Sequence, residues 1–502
     1  MTDVGILPIE GSGAKIRPSR ALELNVLAES GLNFLSMTLT NPLIFPKCEG
    51  YLAAAQTLNL RYAHQHPAAI ARCTSPDDVA QCLAWCVHYD FPFGIKSGGH
   101  SYAGYSRTDG LLIDMSGMNA CSYDPEAGLI SVAGGALIRD VLRTLEPHNR
   151  AIIHGRCSTV GVASMVMGGG SGFNMRKNGM GCDNVVALDL VTAEGELRTV
   201  TAESDPDLFW ACRGGGAGQF GITTQLQIRT FPVSEVTVFS FEWRDAPAKA
   251  LHQVMTLLND APNGYGSRVA LARRSADQPV VATCLGQFHG DAESVRAFFA
   301  ELPTPAKHEI RTLSYTDAQV YLDEVLDPLY FHENSMYVAD TPSLAFLEDG
   351  LAYLQDWPGT AGEADFRFFQ MGGAVNDVAQ SATAFAHRNA RWLMVTGLTW
   401  SETDTSDTID RNLEWQRRFY RSALPIGTGG SYGNLLDPTL ENWAEAYFAT
   451  NLNRLSKIKR LMDPNGLFAR PQGVPQPRQD CASLEASTER RNGRKKLLVA
   501  DG

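Results

Sequence analysis

A glycine-rich stretch between Gly155 and Asp183 constrains the fold of this chain more than any other part of its sequence. Eight glycines fall in this stretch, and backbone without Cβ atoms can approach a flat ligand closely. Ser97-Gly98-Gly99-His100-Ser101 adds a second turn directly after the strand-like residues 91–96. Its consecutive N–H groups can surround a pyrophosphate without a cationic side chain, although a Gly-Gly turn alone is equally typical of an ordinary turn. The two regions together predict a binding surface for a flat ligand that carries phosphates.

Short β-rich runs alternate with helical segments from about residue 71 to residue 233. Ser75-Pro76-Asp77-Asp78 and Ser204-Asp205-Pro206-Asp207 each place a capping side chain, a proline and acids at the start of a helix. Residues 185–200 are typical of a hairpin that turns at Ala193-Glu194-Gly195-Glu196. Alternating strands and helices indicate an α/β or α+β core.

The composition of the sequence changes after Pro232, where glycine becomes less frequent. We read residues 234–424 as a second domain, a sheet covered on one side by helices. Its strand candidates are 236–243, 366–371 and 392–400, and its helix candidates are 248–258 and 408–424.

The C-terminal part of the chain contains one further helix and a polar end. Apolar residues recur at helical spacing between Asn451 and Met462, and Asp463-Pro464-Asn465-Gly466 ends that helix. Residues 479–502 include a basic run at 490–496 and are expected to be a disordered tail.

The composition limits the partners of the chain. Its 502 residues carry a formal net charge of −12, which disfavours nucleic acid as a partner. No run approaches the ~20 apolar residues that span a bilayer, and residues 1–30 lack the apolar core of a secretory signal. We therefore expect a cytoplasmic protein of two or more domains that does not enter a membrane. Ten cysteines in a chain of this length match neither a disulfide scaffold nor a zinc site.

Two other motifs have a chemical interpretation that their surroundings do not support. Gly429-Gly430-Ser431-Tyr432-Gly433 matches the nucleophile elbow of hydrolases, but no strand is indicated before it and no helix after it. His64-Gln65-His66 has two metal-ligating side chains, but no third ligand is apparent nearby. We predict neither a serine hydrolase nor a metal site.

Three motifs occur in a fixed order along the chain: Lys96-Ser97-Gly98-Gly99-His100, then Gly155-Arg156-Cys157-Ser158-Thr159-Val160-Gly161, then a C-terminal set. The C-terminal set comprises Tyr432-Gly433-Asn434, Asn451-Leu452-Asn453-Arg454-Leu455 and Asp463-Pro464-Asn465. In these motifs the chain resembles the FAD-linked oxidases of the berberine bridge enzyme type, within the vanillyl-alcohol oxidase (PCMH-type FAD-binding) superfamily. The resemblance runs from about residue 70 to residue 475.

The resemblance implies an α+β fold in which FAD is bonded twice, through its 8α carbon to His100 and through C6 to Cys157. It implies a two-part PCMH-type FAD-binding domain in residues 1–233, with a core at about 66–233, to which a C-terminal segment, 425–478, returns. The substrate domain, 234–424, would hold an antiparallel sheet covered by helices. The other cofactor-binding residues that it implies are Lys96, Ser97, Gly98, Gly99, Ser101, Val160, Gly161, Gly168, Gly169, Gly170, Gly172, Gly221, Ile222 and Asn434.

The resemblance does not supply a catalytic base. In relatives of this type, a tyrosine after the Tyr-x-Asn motif or an acid or amide in a late strand stands near the substrate. Here those positions hold Leu435 and, by alignment on Trp400, Val395. Tyr432 is the remaining candidate for proton handling, and Gln370 is a candidate for orienting substrate. A further polar group fits a pocket rim but is expected at the surface: His332, Glu333 and Tyr337.

These observations predict an oxidase that removes two electrons from a small natural-product-like molecule, with ring closure as an option, and passes them to O2 to give H2O2. The small side chain of Val160 favours oxygen as the acceptor over a dehydrogenase reaction. A carbohydrate or oligosaccharide oxidase is an alternative, which the loss of a tyrosine at Leu435 disfavours. A flavin-bound cyclase or isomerase without net redox chemistry is a second alternative. A monomer and a homodimer are both compatible with the sequence.

Overall fold

The computed structural model describes residues 31–324 and 327–477, so the N-terminal residues and the expected disordered tail lie outside its described part. Within those ranges the chain forms sheets of three, five and seven strands and a two-stranded ribbon. Helices lie between most of the strands. The combination of helices with mainly antiparallel sheets confirms the predicted α+β class.

The first half of the described chain contributes helices α1–α7 and strands β1–β10. The helices are 31–38, Tyr51–Ala55, Pro76–Tyr89, Ile138–Leu145, Val162–Met167, Met175–Asn178 and Pro206–Cys212. The strands are Ala69–Arg72, Phe93–Lys96, Leu111–Asp114, Cys121–Asp124, Leu129–Ala133, Arg150–Ala151, Val185–Val191, Leu197–Val200, Ile222–Arg229 and Phe231–Pro232.

These strands form a parallel sheet in the order β1-β3-β2 and an antiparallel sheet in the order β4-β5-β9-β7-β8. The predicted hairpin is present as β7 and β8, which pair antiparallel. Both predicted helix starts are also present. The hydroxyl of Ser75 accepts the N–H of Asp78 at 3.1 Å ahead of α3, and the carboxylate of Asp205 accepts the N–H of Leu208 at 3.3 Å ahead of α7.

The second half contributes helices α8–α15 and strands β11–β17. The helices are Pro247–Asn259, Ala292–Phe298, Tyr315–Leu322, Leu344–Gln355, Ala374–Asp377, Ser406–Ala423, Trp443–Phe448 and Leu452–Met462. The strands are Val236–Trp243, Tyr265–Arg273, Val281–Phe288, Lys307–Leu313, Tyr330–Val338, Ala364–Gln370 and Trp392–Trp400.

The strands β11–β17 form one antiparallel sheet in the order β14-β11-β13-β12-β16-β17-β15. Helices α8, α11 and α13 share a buried apolar core with one face of this sheet. Phe366 of β16 and Phe419 of α13 stack there with ring centroids 3.6 Å apart. The sheet covered on one face by helices is the arrangement that the sequence predicts for this region.

The opposite face of the seven-stranded sheet packs against the first half of the chain. Leu393 and Val395 of β17 share a buried cluster with Met175 of α6 and Tyr432. The C-terminal helix α15 also returns to the first half, because Leu455 lies in the same buried core as Trp210 of α7. None of the helices in the described ranges is both long and apolar enough to cross a bilayer.

Candidate functional site

A cavity lies between the glycine-rich turns of the first half and the face of the seven-stranded sheet opposite its helices. Ser97–Ser101, at the end of β2, forms part of its wall. The segment 155–172 forms another part, and Ser267 and Phe369 of the sheet contribute the side that faces them. Residues distant in the sequence therefore meet around one cavity.

The first two motifs touch each other at glycines. A Cβ atom on Gly98 would lie 2.5 Å from the backbone nitrogen of Gly161, and one on Gly161 would lie 2.2 Å from the hydroxyl oxygen of Ser97. The next residue, Gly99, has a φ of +73°, a conformation that favours glycine. These positions require glycine because the two turns pack backbone to backbone.

Thr159 joins the two residues that are expected to attach the cofactor. Its Oγ1 lies 2.9 Å from Nε2 of His100 and 3.4 Å from Sγ of Cys157. Burial lowers the pKa of His100 to about 4, so the imidazole is neutral at pH 7. His100 and Cys157 both line the cavity. The structure thus places a nucleophilic nitrogen and a thiol around one hydroxyl.

The C-terminal motif closes the cavity over the glycine triplet 168–170. The Tyr432 hydroxyl accepts the N–H groups of Gly170 and Ser171, both at 3.1 Å. The Asn434 side chain donates to that same hydroxyl at 2.9 Å and to the carbonyl of Met165 at 2.8 Å. This network fixes the triplet relative to the C-terminal segment.

Most of the residues that the resemblance implies for cofactor binding line the cavity. They are Ser97, Gly98, Gly99, His100, Ser101, Cys157, Val160, Gly168, Gly172, Ile222 and Asn434. Another four shape the backbone behind the lining: Gly161, Gly169, Gly170 and Gly221. Of these, Gly170 also donates its N–H to Tyr432.

Lys96 lies outside the cavity, in contrast to its implied role in binding the cofactor. Its ammonium group donates to the carbonyl of Ala54 and lies 3.7 Å from a carboxylate oxygen of Asp114. The ammonium faces away because successive residues of β2 point to opposite sides of the strand. Lys96 therefore anchors β2 to α2 and β3.

Tyr432 lines the cavity, but its hydroxyl already accepts three hydrogen bonds. Burial raises the pKa of Tyr432, although the bonds from Ser171, Asn434 and Gly170 oppose that shift. The phenol is therefore neutral at pH 7, which disfavours it as a proton acceptor. Its geometry suits the positioning of the glycine triplet.

Gln370 does not reach the cavity. Its Oε1 accepts the hydroxyl of Ser267 at 2.8 Å, and its Nε2 donates to the carbonyl of Leu258 at 2.6 Å. The side chain is 3% exposed, so these bonds satisfy both ends of a buried amide. The prediction that Gln370 contacts substrate is not supported by this position, because Ser267 stands between it and the cavity.

At the two positions where relatives carry a catalytic base, this chain has apolar residues. Leu435 lines the cavity, whereas Val395 is fully buried in the cluster beside it. Phe369 and Phe385 add aromatic surface to the lining. This part of the cavity therefore offers apolar contact and no carboxylate.

The expected surface location of His332, Glu333 and Tyr337 is wrong. The His332 ring lies between the side-chain oxygens of Gln416 at 2.7 Å and Asp437 at 3.3 Å, and Glu333 pairs with Arg367. The Tyr337 ring stacks on His387 at 4.2 Å. All three lie on β15, the edge strand that pairs with β17, and Asp437 of the C-terminal segment contacts His332 of this strand.

Sequence reasoning missed two charged features of the cavity. Arg156 forms an ion pair with Glu324 at 2.7 Å, and both residues line the cavity beside Cys157. Arg470 also lines it and donates to the carbonyl of Gly218 at 2.8 Å. Of Arg156, Glu324 and Arg470, only Arg156 lies within one of the three sequence motifs, the second.

Two family models match the chain. A model described as "FAD binding domain" matches residues 67–201, and one described as "Berberine and berberine like" matches residues 431–475. The two ranges contain the residues that form most of the cavity wall. Each thus corresponds to one of the two parts of the chain that meet there.

Relatives of known activity include oxidases of two kinds. A glucooligosaccharide oxidase of Sarocladium strictum is 28% identical, covering 84% of this chain and 89% of the relative. A tetrahydroberberine oxidase of Berberis wilsoniae is 26% identical, covering 78% of this chain and 82% of the relative. Among solved structures, Physcomitrella patens BBE-like 1 has a TM-score of 0.81 and 25% identity, covering 89% of this chain and 100% of that chain.

Proposed function

The chain is a FAD-linked oxidoreductase of the berberine bridge enzyme-like type, and we propose that it is an oxidase with FAD bonded to both His100 and Cys157. The observation that carries this proposal is the placement of both side chains around the Thr159 hydroxyl. Nε2 of His100 is engaged by that hydroxyl, which leaves Nδ1 for the flavin. Bonds from two sides would hold the ring system in one orientation against the sheet.

The shape of the cavity fits this cofactor. A Cβ atom on Gly168 would lie 1.8 Å from the side-chain oxygen of Asn434, so glycine is needed at this point of the cavity wall. The Ser97–Ser101 turn offers backbone N–H groups for a pyrophosphate. Arg470 adds a partly buried guanidinium beside Gly218, whose charge favours an anionic ligand.

When bound, FAD supplies the capacity to accept a hydride from substrate and to pass two electrons to oxygen. The chain supplies orientation. Tyr432 stays neutral and holds the glycine triplet, while Leu435 and Phe369 contact an apolar part of the substrate. The Arg156–Glu324 pair marks the polar side of the lining, where a substrate hydroxyl or amine can be hydrogen-bonded.

We propose a small aromatic or otherwise apolar natural-product-like substrate that carries one oxidisable alcohol, amine or C–C unit. The apolar residues at the two usual base positions, Leu435 and Val395, support this class. An oligosaccharide is the second candidate, because the Arg156–Glu324 pair and the related glucooligosaccharide oxidase favour a hydroxyl-rich ligand.

The experiment is a substrate panel of aromatic alcohols, cyclic amines and oligosaccharides, read in two ways. Anaerobic mixing should bleach the flavin absorbance with a substrate, and aerobic turnover should release one H2O2 for each substrate oxidised. Bleaching by oligosaccharides alone would reassign the substrate class. Product formation without any bleaching would refute the oxidase and support an isomerase or cyclase.

A further inference from the structure

A second cavity of about 480 Å3 lies behind the flavin site, between α6, the end of β16 and the start of β17. Three arginines line it, and none of its lining residues in the described part of the chain is an acid. They are Arg176, Arg388 and Arg391. A positive cavity is unexpected in a chain with a net charge of −12.

Among the described residues, one of these arginines has an acidic partner. Arg388 forms an ion pair with Asp183 at 2.6 Å. Arg391 is exposed at the opening and makes no side-chain ion pair among the described residues. Two positive charges therefore remain without a counter-charge from the described chain.

Arg176 is buried, with 5% of its surface exposed, and donates to the carbonyls of Ala261 at 2.9 Å and Tyr265 at 3.1 Å. Its Nε is buried and has no hydrogen-bond partner among the described residues. Burial and the nearby charge of Arg391 lower the pKa of Arg176 to about 10. An anion in the cavity would relieve both the unmet donor and the repulsion between the two guanidinium groups.

The rest of the lining suits an oxyanion. Asn259, Asn376 and Asn389 bring carboxamides to the cavity. Asn259 donates to the hydroxyl of Thr341 and Asn376 to the carbonyl of Ala390 at 3.4 Å, and each amide nitrogen carries a second N–H. A Cβ atom on Gly372 would meet nothing within 4 Å, so the backbone there borders open space. Guanidinium and amide donors around one space match the tetrahedral oxygens of a phosphate group.

We propose that this second cavity binds a phosphate group, through Arg176, Arg391 and the surrounding asparagines. The group is either free inorganic phosphate or the terminal phosphate of a small organic ester. Gln370 forms part of the wall and accepts a hydrogen bond from Ser267, which lines the flavin cavity. The phosphate site is thus separated from the flavin site by one pair of side chains.

Isothermal titration of the flavin-loaded protein with inorganic phosphate, at ionic strength balanced with chloride, tests this proposal. We expect saturable binding that Arg391→Gln weakens by about tenfold or more, the loss expected for a charged hydrogen-bond donor. Arg460→Gln removes an exposed arginine from α15, away from the cavity, and should leave the affinity unchanged. Asn389→Asp, which adds a negative charge at the opening, should also weaken binding.

A parallel titration with glycerol 3-phosphate separates the two sources of the group. Tighter binding of the ester supports an organic phosphate as the ligand, and equal binding supports the free anion. Absence of saturable binding for both probes would overturn the proposal, as would equal affinity in the wild type and in Arg391→Gln. The titration needs no turnover, so its failure leaves the oxidase proposal unaffected.

Discussion

The Tyr432→Phe variant separates a positioning role of this residue from a role in proton transfer. The substitution removes the hydroxyl oxygen that accepts the N–H groups of Gly170 and Ser171 and the amide of Asn434. A buried donor without a partner costs about 1–3 kcal/mol. Asn434 keeps its bond to the carbonyl of Met165, so the two backbone donors dominate the cost. We expect the free energy of unfolding to fall by roughly 2–6 kcal/mol.

Urea unfolding followed by circular dichroism measures this loss, and the flavin content of the purified variant reports the geometry of the glycine triplet. Tyr321→Phe is the matched control, because its hydroxyl donates to the exposed Glu309 carboxylate, which water can solvate, so its loss should matter little. If Tyr432→Phe were as stable and as fully loaded as this control but inactive, the positioning role would be refuted in favour of a chemical one.

Three further changes test other parts of the account. Thr159→Val removes the hydroxyl shared by His100 and Cys157, so the covalently held fraction of flavin should drop. Thr159→Ser keeps a hydroxyl and should retain that fraction. Equal fractions in the two variants would contradict the role of this hydroxyl. Lys459→Met leaves the buried carboxylate of Asp463 without its ion-pair partner, so the free energy of unfolding, measured by heat or urea, should fall by about 3–5 kcal/mol. An unchanged free energy of unfolding would show that the backbone N–H groups bonded to Asp463 are sufficient. Burial lowers the pKa of His387 to about 4. As the pH falls from about 6.5 to about 4, His387 is therefore protonated in the unfolded chain but stays neutral in the folded chain. Stability should fall across that range, and His387→Gln should flatten the dependence measured by unfolding at each pH; an unchanged slope would refute this assignment.

The elements that the sequence predicted well are those that depend on local rules. Strands β11 and β17 have the predicted bounds because apolar and β-branched residues continue through them between clear breaks. The helix after Ser75 starts where a capping hydroxyl, a proline and two acids coincide. The glycines of the first two motifs were predicted to let backbone approach a flat ligand closely, and at Gly98 and Gly161 the structure shows a close approach between the two turns themselves.

Two assignments that the contacts of the structure do not support concern side chains whose partners are far away in the sequence. Lys96 was assigned to the cofactor from its motif, but the direction of a strand side chain depends on the pleat and on Ala54 and Asp114. Gln370 was assigned to substrate, but Leu258 and Ser267 satisfy its amide. Such long-range pairings leave no periodic signal in a single sequence.

The linkage between protein and flavin is the central claim, and the mass of the denatured protein tests it most directly. Acid-precipitated wild-type protein should remain yellow and carry the added mass of one FAD, with modified peptides that contain His100 and Cys157. His100→Ala and Cys157→Ala should each retain one bond, and the double variant should release all of its colour. Wild-type protein that loses its flavin completely on denaturation, leaving the mass of the bare chain, would contradict the account.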